Sequence, residues 1–230
     1  MVRATVIEIR TTTQPDNKTF EHTILIAGNK ARTRDELDQW RLFDLEKETV
    51  TFVDDVAKTI RTEPVTRLLQ QRRTALSKTV SEQTPRAKVE ATGTSRPLLG
   101  VPATQSVVTV GEYRRELWIG AHPQIPPRLF ALMQISDLPS SPLAPMMKSV
   151  DEALTNVRGF PLVDRSELPL GNSRMIVEHA VTSVRSRDVP RSLLRAPADY
   201  RDLTAAATER GVRRLPVALP LPGRKARGAG

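Results

Sequence analysis

The sequence predicts an α+β fold: a curved antiparallel sheet with helices against its concave face. Three observations predict it. From Trp40 to Thr62 the chain reads WRLFDLEKETVTFVDDVAKTIRT, short strands separated by acidic turns. The next run, PVTRLLQQRRTALSKTV, places apolar residues at helical spacing. Strand-like segments then resume and alternate with two further helical ones. Connections this short join antiparallel neighbours, and helices segregate to one face of such a sheet.

Each element has its own signal. Residues 2–10 alternate, with Thr5, Ile7 and Ile9 facing opposite to Ala4, Val6 and Glu8. Pro15, Asp16 and Asn17 tolerate turn dihedrals, so 11–18 reads as a turn. Phe20, Ile24 and Ile26 share one face of a second strand that ends at Gly28-Asn29. A short basic strand, 30–34, precedes three more, separated at 44–47 and at Asp54-Asp55. Pro64 suits a first helical turn, and Val65, Leu68, Leu69, Leu76 and Val80 follow on one stripe. Strands return at 86–91, then as TQSVVTV and YRRELWI around Gly111-Glu112. A helical pattern spans about 127–135. A cleaner one starts at Ser141-Pro142, carries Met146, Met147, Val150 and Leu154, and stops at Gly159. NSRMIVEHAVTSVRSR reads as a long last strand. Residues 1–205 are expected to form one domain, and 206–230 a poorly ordered basic tail rich in Pro, Gly and Arg.

Composition narrows the function. With no cysteine among 230 residues, disulfides, thiolate catalysis and cysteine-held zinc are excluded. Aromatic residues are only 4% of the chain, too few for a base-stacking platform. The net charge of +9 suggests nucleic acid, but the last 22 residues carry six cations against one acid. The remainder is only modestly basic, so no specific nucleic-acid partner is expected. No apolar run approaches the roughly 20 residues that span a bilayer. Met1 leads directly into the first strand, with no signal peptide pattern.

Catalytic chemistry is not legible. His22, His122 and His179 show no metal-ligand spacing, so neither metal nor cofactor is expected. No phosphate-cradling loop and no GxSxG elbow occurs, and Asp54-Asp55 suits a turn rather than a paired-carboxylate site. The chain is expected not to be an enzyme.

Residues 28–60, GNKARTRDELDQWRLFDLEKETVTFVDDVAKTI, resemble the strand order of periplasmic lipoprotein-carrier domains. Gly100-Val101-Pro102-Ala103, the run Tyr113 to Ile119, Gly159-Phe160-Pro161-Leu162 and the closing 189–200 are similar to an uncharacterised secreted bacterial family related to that fold. The resemblance covers about 1–204. It implies a strongly curved antiparallel half-barrel, an unclosed β-barrel, with α-helices plugging the concave face. It also implies a periplasmic or secreted setting, which takes a leader to have been removed; the cytoplasm is the alternative.

The expected function is a non-enzymatic binding domain for a lipid, another apolar molecule or a lipid-modified partner. Phe20, Ile24, Trp40, Phe52, Leu68, Leu69, Leu76, Met146, Met147 and Leu154 are the candidate cavity lining, with tight core packing as the competing account. Arg67, Arg72 and Arg73 are the candidate cationic rim, with a solvated helix face as the alternative. The runner-up function is a protein-interaction or envelope scaffold module without a small-molecule ligand, and a third reading, ranked below it, is a basic nucleic-acid binder acting through the tail.

Overall fold

A computed structural model describes residues 1–34, 39–77, 86–133, 144–154, 157–170 and 173–204. Two meanders make one sheet. The first runs β1 (Val2–Gln14), β2 (Lys18–Ala27), β3 (Lys30–Arg34), β4 (Gln39–Asp44), β5 (Thr49–Asp54) and β6 (Thr59–Pro64). The second runs β7 (Lys88–Leu98), β8 (Val101–Val110), β9 (Tyr113–Gly120), β10 (Phe160–Leu170) and β11 (Ser173–Val189). Within each meander sequence neighbours pair antiparallel, and β1 joins β11 to make one continuous sheet. A two-residue strand, β12 (Arg201–Asp202), adds to the β6 edge and runs parallel to it.

Turn chemistry explains the tight first meander. Asp44 Oδ1 accepts the backbone N–H of Glu46 and Lys47 at 3.2 and 3.0 Å. Asp54 Oδ1 does the same for Val56 and Ala57 at 3.0 and 2.7 Å. Aspartate side chains thus replace the turn's missing backbone acceptors.

Alternation divides the first meander between two cores. One face presents Ile7, Ile24, Ala31, Phe43 and Val50 to the larger core. The other presents Val6, Leu25, Trp40, Leu42 and Val53 to a smaller core closed by Leu194. That second cover is the segment 190–204, whose 3-10 turn Arg191–Leu194 lies over β3. Arg32 stacks 3.9 Å above the Trp40 ring and donates to Leu193 O, while Tyr200 Oη and Trp40 Nε1 both donate to Asp55.

Three helices complete the described residues: α1 (Val65–Ser77), α2 (Leu129–Met133) and α3 (Ala144–Leu154). They correct the expected half-barrel. Among the described residues the sheet has twelve strands, is mixed because of β12, and is not closed; the helices do not plug a concave face. α1 continues straight from β6 and packs on β6 and α3, α3 leans on β8, and α2 lies beside β10. The physical reason is that an apolar stripe tells a helix to bury one side without saying against which strand. The sheet's second apolar face was equally hidden, because its cover lies at the far end of the chain.

β10 is the strand the sequence does not reveal, since a buried Asp164 interrupts its apolar alternation. Its entry depends on Gly159 and Gly120. Gly159 adopts φ +103°, and a Cβ on Gly120 would stand 2.8 Å from Leu162 Cδ1. This close approach tucks Leu162 into the core and sets Phe160 and Pro161 at the edge of the cavity described next. The expected basic tail, 206–230, lies outside the described residues.

Candidate functional site

A partly open cavity of about 340 Å³ lies on the larger core's side of the sheet. Ile9, Ile24 and Val181 supply apolar floor from β1, β2 and β11, and Phe130, Met133 and Phe160 add walls from α2 and β10. Polar side chains converge on the same space: His22, Thr33, Arg41, Arg115, Asp164 and His179. Antiparallel register brings them together. Thr11 stands opposite His179, which stands opposite Asp164, while Thr33 lies between Ile24 and Arg41.

Arg115 and Asp164 form a buried bidentate pair, Nε to Oδ1 at 2.9 Å and Nη2 to Oδ2 at 2.6 Å. Each residue is 8% exposed. Burial works against the guanidinium charge, and Asp164 more than offsets it, so the arginine is held charged more firmly than usual. Arg115 also lies 5.9 Å from the Phe130 ring centroid. Tyr113, on the same face, has its hydroxyl pKa raised chiefly by burial.

His179 Nδ1 and Thr11 Oγ1 are 2.7 Å apart. The ring is reached by solvent through the cavity, yet protein surrounds it closely enough to depress its pKa. Desolvation is the main cause; Arg115 and His22 act in the same direction and Asp164 opposes them. The folded state therefore favours neutral imidazole. The unfolded chain binds the extra proton first, so this contribution to stability is full above the ordinary value of 6.5 and lost progressively as pH falls through and below it. His179→Phe is expected to flatten that part of the stability–pH curve, as read by urea midpoints at stepped pH.

The candidate lining residues separate. Ile24 lines the cavity. Leu68 and Leu154 are buried in the larger core, with Leu69, Met146 and Phe52 packed against it. Trp40 belongs to the second core, and with Phe52 borders a smaller depression of about 250 Å³ near β5 and β6. Phe20 and Met147 are half-buried and line none of these spaces. Leu76, Arg72 and Arg73 have side chains outside the described residues. Arg67 makes an ion pair with buried Glu63, 3.7 Å away. Sequence reasoning missed Thr33, Arg41, Arg115 and Asp164 as site residues. A signal was present for Arg115, which breaks the inward apolar row of Tyr113, Leu117 and Ile119; Arg41 and Asp164 share their faces with Gln39 and Ser166, and β3 is too short to show a row.

No known protein-family profile matches the chain, and no curated protein matches it. Two solved structures of PNGF-II, in space groups C2 and P21, align with 91% and 92% of this chain at 12% identity, with TM-scores of 0.46 and 0.44. The chain spans about a third of the length of those PNGF-II chains, 32% and 33%.

Proposed function

We propose that this protein is a non-enzymatic binding domain whose cavity takes a compact, largely apolar molecule. The observation that carries the reading is the cavity itself: about 340 Å³, apolar-floored, with a few convergent polar groups. That volume sits at the lower end of the ordinary range for ligand pockets, so the occupant is a single short chain or small ring rather than a two-chain lipid. Both carboxylate oxygens of Asp164 are engaged by Arg115, and no carboxylate bonds His179 among the described residues. This favours binding over proton-transfer chemistry. The resemblance to secreted carrier-like domains supports a setting outside the cytoplasm.

Calorimetry and thermal unfolding with straight-chain carboxylates of six to fourteen carbons test the proposal. At least one length is expected to bind saturably and raise the melting temperature. Val181→Trp, which fills the cavity from a half-buried position, is expected to abolish binding in a protein that still folds; Met133→Ala is expected to shift the preference to longer chains. A wild type indifferent to every length overturns the reading.

A second reading is the protein-interaction or scaffold module. It draws support from β7, the last strand of the sheet, in which every residue except Leu98 is exposed. Its outer edge can accept a strand from another protein.

A further inference from the structure

Two groups of polar side chains line the cavity far apart, Thr33 with Arg41 and His179 with Arg115 and Asp164, and His22 lies between them. On β3, Thr33 is 5% exposed, lines the cavity, and has an Oγ1 with no hydrogen-bond partner among the described residues. A buried hydroxyl left in that state is destabilising, and native structures rarely tolerate it without a partner from elsewhere. On β11, His179 lines the same cavity; Thr11 occupies its Nδ1, and its Nε2 has no hydrogen-bond partner among the described residues. Three strand spacings separate β3 from β11, about 14 Å across the sheet. The two residues are also offset along the strands. Thr33 is level with Ile24 and Ile7, whereas His179 is level with Thr11, four residues further along β1. Between them the floor is Ile24, Ile9 and Val181, with His22 flanking the middle in register with Ile9.

We infer that the occupant carries a hydrogen-bonding group at each end of an apolar middle, one end meeting Thr33 and the other His179. This rests on the cavity being a ligand site, as proposed above. A hydroxyl and a neutral imidazole each pair with a group able to donate or accept, which a terminal hydroxyl or carboxyl supplies. Arg115 and Asp164 satisfy one another and wall the His179 end. A chain with one polar end leaves one of the two readers unmatched, and at the Thr33 end that loss falls on a buried hydroxyl, the situation in which binding sites discriminate most strongly.

Calorimetry with decanoate, 10-hydroxydecanoate and decanedioate tests the inference; the hydroxy acid separates hydrogen bonding from added charge. Wild type is expected to bind 10-hydroxydecanoate at least about tenfold tighter than decanoate. Thr33→Val and His179→Phe are each expected to bring that preference to within about twofold. Thr33→Val removes an unpartnered hydroxyl and keeps the fold. Should His179→Phe unfold by orphaning Thr11, the pair Thr11→Val with His179→Phe replaces it. Equal affinity for decanoate and the two-ended acids, or a preference that survives both substitutions, overturns this inference while leaving the binding-domain reading intact. Failure of all three probes on wild type overturns the inference, and failure of every straight-chain length as well overturns the binding-domain reading.

Discussion

Arg115→Met is expected to cost about 3–5 kcal/mol of folding stability, because it strands the Asp164 carboxylate in a site where only 8% of that residue is exposed. The pair Arg115→Met with Asp164→Leu is expected to recover most of that loss, since two apolar side chains of similar bulk need no partner there. Urea unfolding of wild type, both single variants and the double variant gives the coupling directly. Two single losses that simply add would show that Arg115 and Asp164 act separately, and that solvent already reaches the carboxylate. The large expected effect follows from geometry: two short bonds between groups that are each 8% exposed, with the Phe130 ring beside the guanidinium.

Leu194→Asp is expected to destabilise by more than about 3 kcal/mol, combining the lost burial of a leucine with an unpaired charge. Leu194 is 7% exposed and covers Val6, Trp40 and Val53, all nearly inaccessible. Val56→Asp is the contrast, since Val56 is 77% exposed in a turn; it is expected to stay within about 0.5 kcal/mol. Equal midpoints for the two variants in thermal unfolding would mean that the 190–204 segment does not seal the outer face of β1 to β6.

Local signals made much of the first meander legible. Gly28-Asn29, Asp44 and Asp54 mark turns because their chemistry acts over two or three residues, and the structure puts turns there. Pro64 likewise marks the boundary at which α1 begins, although the proline itself ends β6. Non-local relations were hidden. Thr11 and His179 are 168 residues apart, and Arg115 and Asp164 are 49 apart. No spacing rule links residues across such distances, so the two histidines in strands looked partnerless. The helices misled for a related reason: their stripes were read correctly as apolar, but the strand each would meet was set by the sheet order. Trp40 illustrates the cost of assuming one buried face. It packs in the second core beneath a segment that begins 150 residues later, and borders the depressions there rather than the cavity on the other face.

The seam between β1 and β11 bears on how the chain is made. Every other long pairing closes between consecutive strands, whereas this one waits for a strand 168 residues further along to leave the ribosome. At ordinary synthesis rates the interval between Thr11 and His179 lasts roughly 10–30 s. Throughout it, β1 carries an open edge with Ile7 and Ile9 uncovered on one side, so the nascent first half is the stage at which a holdase would engage this protein.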